Sequence, residues 1–269
     1  ASYGKRMIPS YRFDKAKTIV GIGADFLGTW LSPIEFASQY AVGKKINESA
    51  PSMSHHIQFE TVASLSGSNA DDRYLHRPSE TGAIALALLS AINGQGATNI
   101  TDAALKTGIE KTAKELLANK GASLVVCGSN DMNVQVIVNA INEAIGANGN
   151  TIDWSIAAKY KQGNDADFSK LLDDMNAGSV GTLIVVGANP AYASFGAARF
   201  TSGIKKVKVS ISLNPRLDET AQLCKYVVPD NHFLESWGDA EPKTGYYSLM
   251  QPTIYPLFKT RQWQDSLMK

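Results

Sequence analysis

Three turns in this chain have the composition to bring backbone N–H groups close to a ligand. They are Gly21-Ile-Gly-Ala-Asp25, Cys127-Gly-Ser-Asn130 and Val186-Gly-Ala-Asn-Pro190, and each follows a short apolar run. Glycine allows the chain to turn sharply, and Asn or Asp tolerates left-handed geometry and hydrogen-bonds its own backbone. A buried parallel strand that stops in such a turn opens at the carboxyl end of its sheet, where α/β proteins bind ligands. The same turn also serves simply to start the next helix. Gly23, Asp25, Gly128, Asn130, Gly187 and Asn189 are therefore the candidate cleft residues. If the strands are parallel and adjacent, Gly23, Gly128 and Gly187 fall on one sheet edge and face one cleft.

Other chemistry is sparse, and no catalytic residue is assigned. Cys127 and Cys224 are far apart with no Cys-x-x-Cys companion, so both read as small buried hydrophobes. An iron–sulfur cluster needs several thiolates, which this segment cannot supply. His55 and His56 are adjacent on a strand and point to opposite faces, which argues against a metal pair. No metal site is expected. Gly21-x-Gly23 matches the first two glycines of a dinucleotide fingerprint. Phe26 stands at the third position, however, and no acidic residue ends a second strand at the expected distance. The acids of residues 64–72 could hold a cation, or simply cap a helix and face water.

The elements that would position these turns alternate. Strands are expected at residues 18–22, 55–60, 124–127, 183–186, 206–213 and 226–229. Helices are expected at 33–42, 80–93, 109–119, 134–145, 165–176 and 218–224. Pro33 opens the first helix with Ser32 as its cap. Val134, Ile137, Val138, Ile141 and Ile145 share one helical face, as do Phe168, Leu171, Leu172 and Met175. Residues 11–17 read as a surface approach to the first strand. This alternation predicts an α/β fold with a doubly wound, mostly parallel sheet. It covers residues 1–229, with two lobes meeting near 94–123.

From Pro229 the pattern stops, and residues 230–269 form a long wrapping segment rich in aromatics. A compact domain rarely keeps so long a loop without a use. Phe233, Trp237, Tyr246 and Tyr247 either pack on the domain itself or anchor a partner. The chain has 269 residues, 44% hydrophobic, and a net charge of +1. That is enough for a full core and gives no basic surface for nucleic acid. No apolar run is long enough to span a bilayer. The first residues, Ala-Ser-Tyr-Gly-Lys, show no signal-peptide pattern, and the chain reads as an internal segment of a larger polypeptide.

Several pieces, in order, resemble the molybdopterin oxidoreductase superfamily. They are Ala70-Asp-Asp-Arg-Tyr-Leu-His-Arg-Pro78 before a helix, Ile145-Gly-Ala-Asn-Gly149, Gly-Ala-Asn-Pro190 after Leu-Ile-Val-Val186, and Leu217-Asp-Glu-Thr-Ala-Gln-Leu-Cys-Lys-Tyr-Val-Val-Pro229 followed by Glu235. Within it, Gly23-Ala-Asp-Phe-Leu-Gly-Thr-Trp-Leu-Ser-Pro33, Leu65-Ser-Gly-Ser-Asn-Ala-Asp71 and His232-Phe-Leu-Glu-Ser-Trp-Gly-Asp-Ala-Glu-Pro242 resemble the molybdopterin-like domain of the B subunit of alternative complex III. That resemblance implies a membrane-associated quinol oxidoreductase of a respiratory chain, on the periplasmic side of a bacterial cytoplasmic membrane. It implies partners: an iron–sulfur domain of the same subunit, haem c subunits and integral-membrane subunits. It also implies a domain without a molybdenum cofactor, in which Glu235 joins the vestigial cleft. Pro78-Ser-Glu-Thr81 in place of Pro-Gly-Thr-Asp, and Asp25 in the first turn, agree, because a carboxylate repels a pyrophosphate. The alternative is a segment of a working molybdopterin enzyme, such as a polysulfide-reductase-like catalytic subunit.

Overall fold

The computed structural model describes residues 2–4, 6–46, 51–160 and 162–268. The chain divides into two compact units, Ala1–Ala158 and Lys159–Lys269. It is a mixed α/β protein with parallel and antiparallel sheets.

The first unit is organised by β2 (Thr18–Ile22). Parallel neighbours flank it on both sides, β3 (His55–Glu60) and β5 (Ser123–Cys127), and β4 (Asp72–Leu75) lies beyond β3. The registers Ile22↔Phe59 and Ile22↔Cys127 align the carboxyl ends of β3, β2 and β5. Every residue of β2 and β5 is buried, which is why both read as unbroken apolar runs rather than alternating ones. The two β3 histidines show how the sheet is covered. His56 meets Tyr40 of α1 (Pro33–Lys44), while its neighbour His55 meets Glu115 of α4 (Ala103–Ala118). Successive strand residues face opposite ways, so these two helices lie on opposite faces.

Between β3 and β4 stands the single-turn helix α2 (Leu65–Ser68). α3 (Thr81–Ile92) packs on α4 and on α5 (Met132–Ala144). Residues 94–123 therefore lie inside one unit, and the boundary falls at Ala158/Lys159 instead. Residues 11–17 are not a surface approach. Phe13 is fully buried, stacked on Phe26 at 4.5 Å between ring centroids. Phe26, at the fingerprint's third-glycine position, is thus a core residue. Sequence reading also missed β1 (Ile8–Tyr11) and β6 (Ile152–Ala158), which pair antiparallel with an irregularity between Pro9 and Ser10.

In the second unit β7 (Thr182–Val185), β8 (Val209–Ser212) and β9 (Tyr226–Val227) form a separate three-stranded parallel sheet. This corrects the expectation of one sheet. Gly23 and Gly128 follow strands of the first sheet, whereas Gly187 follows a strand of the second. Similar turns report similar local geometry and carry no information about sheet membership.

α6 (Asp165–Ala177) buries Leu172 and Met175 against Phe200 and Ile204 of α8 (Ala197–Ile204), with Phe168 and Leu171 partly buried alongside. It ends at Gly178 in left-handed geometry, φ 75°. The one-turn α7 (Pro190–Ala193) follows the second sheet's first turn. Residues 218–224 form only a short 3-10 turn, Ala221–Leu223. The final segment holds the antiparallel hairpin β10 (Gly238–Lys243) and β11 (Tyr246–Met250), and α9 (Trp263–Leu267).

Candidate functional site

In the first unit the candidate site is the carboxyl edge of the parallel sheet. Gly23 turns the chain after β2 with φ 61°. Its N–H donates to Phe59 O at 2.7 Å, and the Gly128 N–H donates to Ile22 O at 3.0 Å. Both donors are used within the protein. The two turns also touch, since a Cβ on Gly128 would stand 2.2 Å from Gly23 O. Gly23, Asp25 and Gly128 therefore belong to one edge, while Asn130 is exposed in the loop beyond. Asp131, its neighbour, caps α5 through Asn133 N at 2.8 Å.

Two carboxylates fill this edge. Asp25 Oδ1 accepts from Ser66 N and Ser66 Oγ, each at 2.9 Å. Ser66 Oγ in turn accepts from Leu27 N at 2.9 Å. Glu60, at the end of β3 and 2% exposed, takes Ser64 Oγ and Arg73 Nε at 2.5 Å each. Ser64 Oγ accepts from Gly67 N at 2.9 Å. The N–H groups of residues 64, 66 and 67 would form an anion seat at the start of α2, and all three are spent on internal partners.

The glycines around that seat fit the carboxylates. A Cβ on Gly28 would stand 2.1 Å from Asp25 Oδ2, and one on Gly67 1.9 Å from Glu60 Oε1. Sequence reading found Asp25 but missed Glu60, Ser64, Ser66 and Arg73. The only available signal was the acid at the end of the second strand. The Pro78-Ser-Glu-Thr81 turn is likewise closed on itself, Arg77 N donating to Glu80 Oε2 at 2.8 Å and Thr81 Oγ1 to Pro78 O at 3.0 Å. At the end of β4, His76 Nδ1 lies 2.8 Å from Arg77 O, and its buried Nε2 has no hydrogen-bond partner among the described residues.

The histidines on β3 are structural. Burial lowers His56 to a pKa of about 4, and its ring lies between Tyr40 Oη and Gln58 Oε1, each at 3.2 Å. Desolvation also raises Tyr40 above the usual phenol range. His55 lies 2.6 Å from Glu115 and 3.3 Å from Asp72. Asp71 bonds His56 N at 2.7 Å and Lys44 Nζ at 2.5 Å, so the acids of that loop serve structural partners. Among the described residues no group of three or more His, Cys, Asp or Glu side chains is placed to hold a metal.

The second unit has its own carboxyl edge. Gly187 adopts φ 60°. Asn189 Oδ1 accepts from Thr220 Oγ1 at 2.8 Å, and Asn189 Nδ2 donates to Glu219 Oε2 at 2.7 Å, which holds Glu219 below the usual carboxylate range. Asn214 Nδ2 donates to Ala188 O and to Asp218 Oδ2, both at 2.8 Å, while its buried Oδ1 has no partner among the described residues. The Gly-Ala-Asn-Pro turn is thus held by Asn214 and Thr220. Thr220 lies in the quoted Thr-Ala motif, and nothing marked Asn214.

Glu235 lines an open pocket of about 650 Å³ with Pro215, Pro229, Ile254 and Phe258. Its carboxylate caps the local chain, taking His232 N at 3.1 Å and Leu257 N at 3.0 Å. Cys127 is buried on β5, where burial raises its thiol pKa, and Cys224 is half-buried in the other unit. The donor set fits neither an iron–sulfur cluster nor a pyrophosphate at the α2 seat.

No family model matches the chain, and no curated protein matches it. Among solved structures it is similar to acetylene hydratase from Pelobacter acetylenicus, with 11% identity and a TM-score of 0.63 over 96% of this chain and 47% of that one. It is also similar to a formyltransferase/hydrolase complex from Methylorubrum extorquens in complex with methylofuran, with 10% identity and a TM-score of 0.53 over 97% of this chain and 76% of that one. This chain spans about half the length of the first. At such identities the likeness describes the fold alone.

Proposed function

We propose that this chain is a cofactor-free, catalytically silent domain of the molybdopterin-oxidoreductase type, acting as a scaffold in a membrane-associated quinol oxidoreductase resembling alternative complex III. One observation carries the reading. The anion seat at the sheet edge holds the protein's own Asp25 and Glu60, and Gly28 and Gly67 leave room for them. A phosphate brought there would meet two carboxylates and no free N–H donor, a repulsive arrangement in a partly desolvated site. The sequence motifs supply the family, and the first sheet, with α1 and α4 on opposite faces, is read as the doubly wound core.

On this reading the domain holds the iron–sulfur domain of its subunit in register with haem c and integral-membrane subunits on the periplasmic side. Among the described residues no helix is long and apolar enough to cross a membrane, and attachment through partners is part of the proposal. The test is composition. The native particle isolated through a tag on this chain should contain iron and haem c, with molybdenum, tungsten and extractable pterin far below one per chain. Stoichiometric molybdenum, tungsten or pterin overturns the cofactor-free reading. Absence of haem from the particle overturns the assignment to the complex.

A further inference from the structure

The chain contains two Asn-Gly steps, Asn93-Gly94 and Asn148-Gly149. Such steps are chemically labile, because glycine has no Cβ to shield its N–H from the side-chain amide before it. The two glycines share one backbone geometry, with φ 81° at each. What differs is how the fold holds the asparagine amide and the glycine N–H.

The Asn148 amide is tied at both ends. Nδ2 donates to Tyr3 Oη at 3.0 Å and to Glu143 Oε2 at 2.5 Å, and Oδ1 accepts from Trp154 Nε1 at 2.8 Å. The Gly149 N–H donates to Ile152 O at 2.8 Å, and Ile152 is buried at the start of β6. Asn93, by contrast, stands just past the last turn of α3. Residues 93–95 are exposed, and the Asn93 side-chain amide has no hydrogen-bond partner among the described residues. The Gly94 N–H has only the Ala91 carbonyl, at 3.1 Å in that exposed helix end.

We propose that Asn93 is a self-modification site, converting to aspartate and isoaspartate in the folded protein while Asn148 keeps its amide. The Gly94 nitrogen attacks Asn93 Cγ. The N–Cγ bond forms, the Cγ–Nδ2 bond breaks, and Nδ2 leaves as ammonia with the proton that Gly94 loses. Water then opens the cyclic imide at either carbonyl. One opening gives aspartate; the other runs the main chain through the side chain and adds a methylene between residues 93 and 94. Either product puts a carboxylate where α3 presents unpaired carbonyls and the negative end of its dipole. The same reaction at Asn148 would require its amide to leave three partners while Gly149 leaves Ile152. The reaction needs no partner chain and is separate from the proposed scaffold role.

The natively isolated protein, kept in warm, mildly alkaline buffer and sampled by peptide mass mapping, tests this. The Asn93 peptide should gain acid and iso-acid on the order of tenfold faster than the Asn148 peptide, the difference reflecting how rarely the tied turn opens. In urea-unfolded chain the two rates should converge. Trp154→Phe should speed conversion of Asn148 in folded protein without changing Asn93, and Tyr3→Phe, at a more exposed position, should do so more weakly. Equal rates in the folded protein, or Asn148 reacting first, overturn the proposal. A preference for Asn93 that persists undiminished in urea overturns the role given to the fold.

Discussion

The pairing of Asp25 with Gly28 yields a quantitative prediction. Asp25→Ala removes the acceptor of Ser66 N and Ser66 Oγ, both at 2.9 Å. Hydrogen bonds to a charged group contribute about 1.5–3 kcal/mol each when buried. Asp25 is half-buried, so screening brings the expected loss to about 2 kcal/mol for the pair of bonds together. Gly28→Ala should cost a similar amount by another route. Its Cβ would stand 2.1 Å from Oδ2, and the carboxylate can move away only by giving up Ser66. In an Asp25→Ala background that obstacle is gone, and Gly28→Ala should be nearly neutral. The double variant is then about as stable as Asp25→Ala alone, a coupling of about 2 kcal/mol where independent sites add to within about 0.5. Urea titrations of the four proteins at pH 7.5 measure this. Additive losses would refute the idea that the turn is built around the carboxylate.

Further expectations concern other sites. His56 is fully buried, and burial lowers its pKa to about 4 from an unfolded value of 6.5. A depressed histidine favours folding while neutral, so its stability is present above pH 6.5 and is lost as pH falls toward 4. The full loss is about 3 kcal/mol, seen as a pH-dependent unfolding midpoint that flattens in His56→Gln. Gly187→Val forces a β-branched residue to φ 60° and should cost about 1–3 kcal/mol in urea unfolding. Trp237, 58% exposed, should give an alanine variant with unchanged melting temperature but weaker assembly of the native particle. Unchanged assembly, with Trp237 still open to solvent in the particle, would count against its role as an anchor.

The elements legible in the sequence were those whose pattern is local. Thr18–Ile22 and Ser123–Cys127 are buried on both faces and read directly as apolar strands, and α5 and α6 showed their buried faces by spacing. Ile152–Ala158 was passed over although Ile152-Asp-Trp-Ser-Ile156 alternates apolar and polar residues as a half-buried strand does, so there the signal was present in the sequence. Phe13 looked like part of a charged surface stretch because its neighbours are charged, and its burial depends on Phe26 and Phe36. At the site, Asp25 was visible as an acid in a glycine turn. Its partner Ser66 is 41 positions away, and no spacing rule joins a turn after one strand to a helix after the next. The expectation of a single edge failed for a similar reason, since the Gly-Ala-Asn-Pro turn belongs to a sheet built from later strands.

The glycines beside Asp25 and Glu60 also bear on how such a domain can change over generations. With Asp25 and Glu60 in place, a methyl group at position 28 or 67 has nowhere to go. Replacing either acid strands Ser66 or Arg73 without its acceptor. Each single step toward reopening an anion seat is therefore downhill in stability, and only a concerted change of acid, serine and glycine crosses the gap. Mutation followed by purifying selection would hold the edge closed, so this corner of the fold behaves as an evolutionary ratchet.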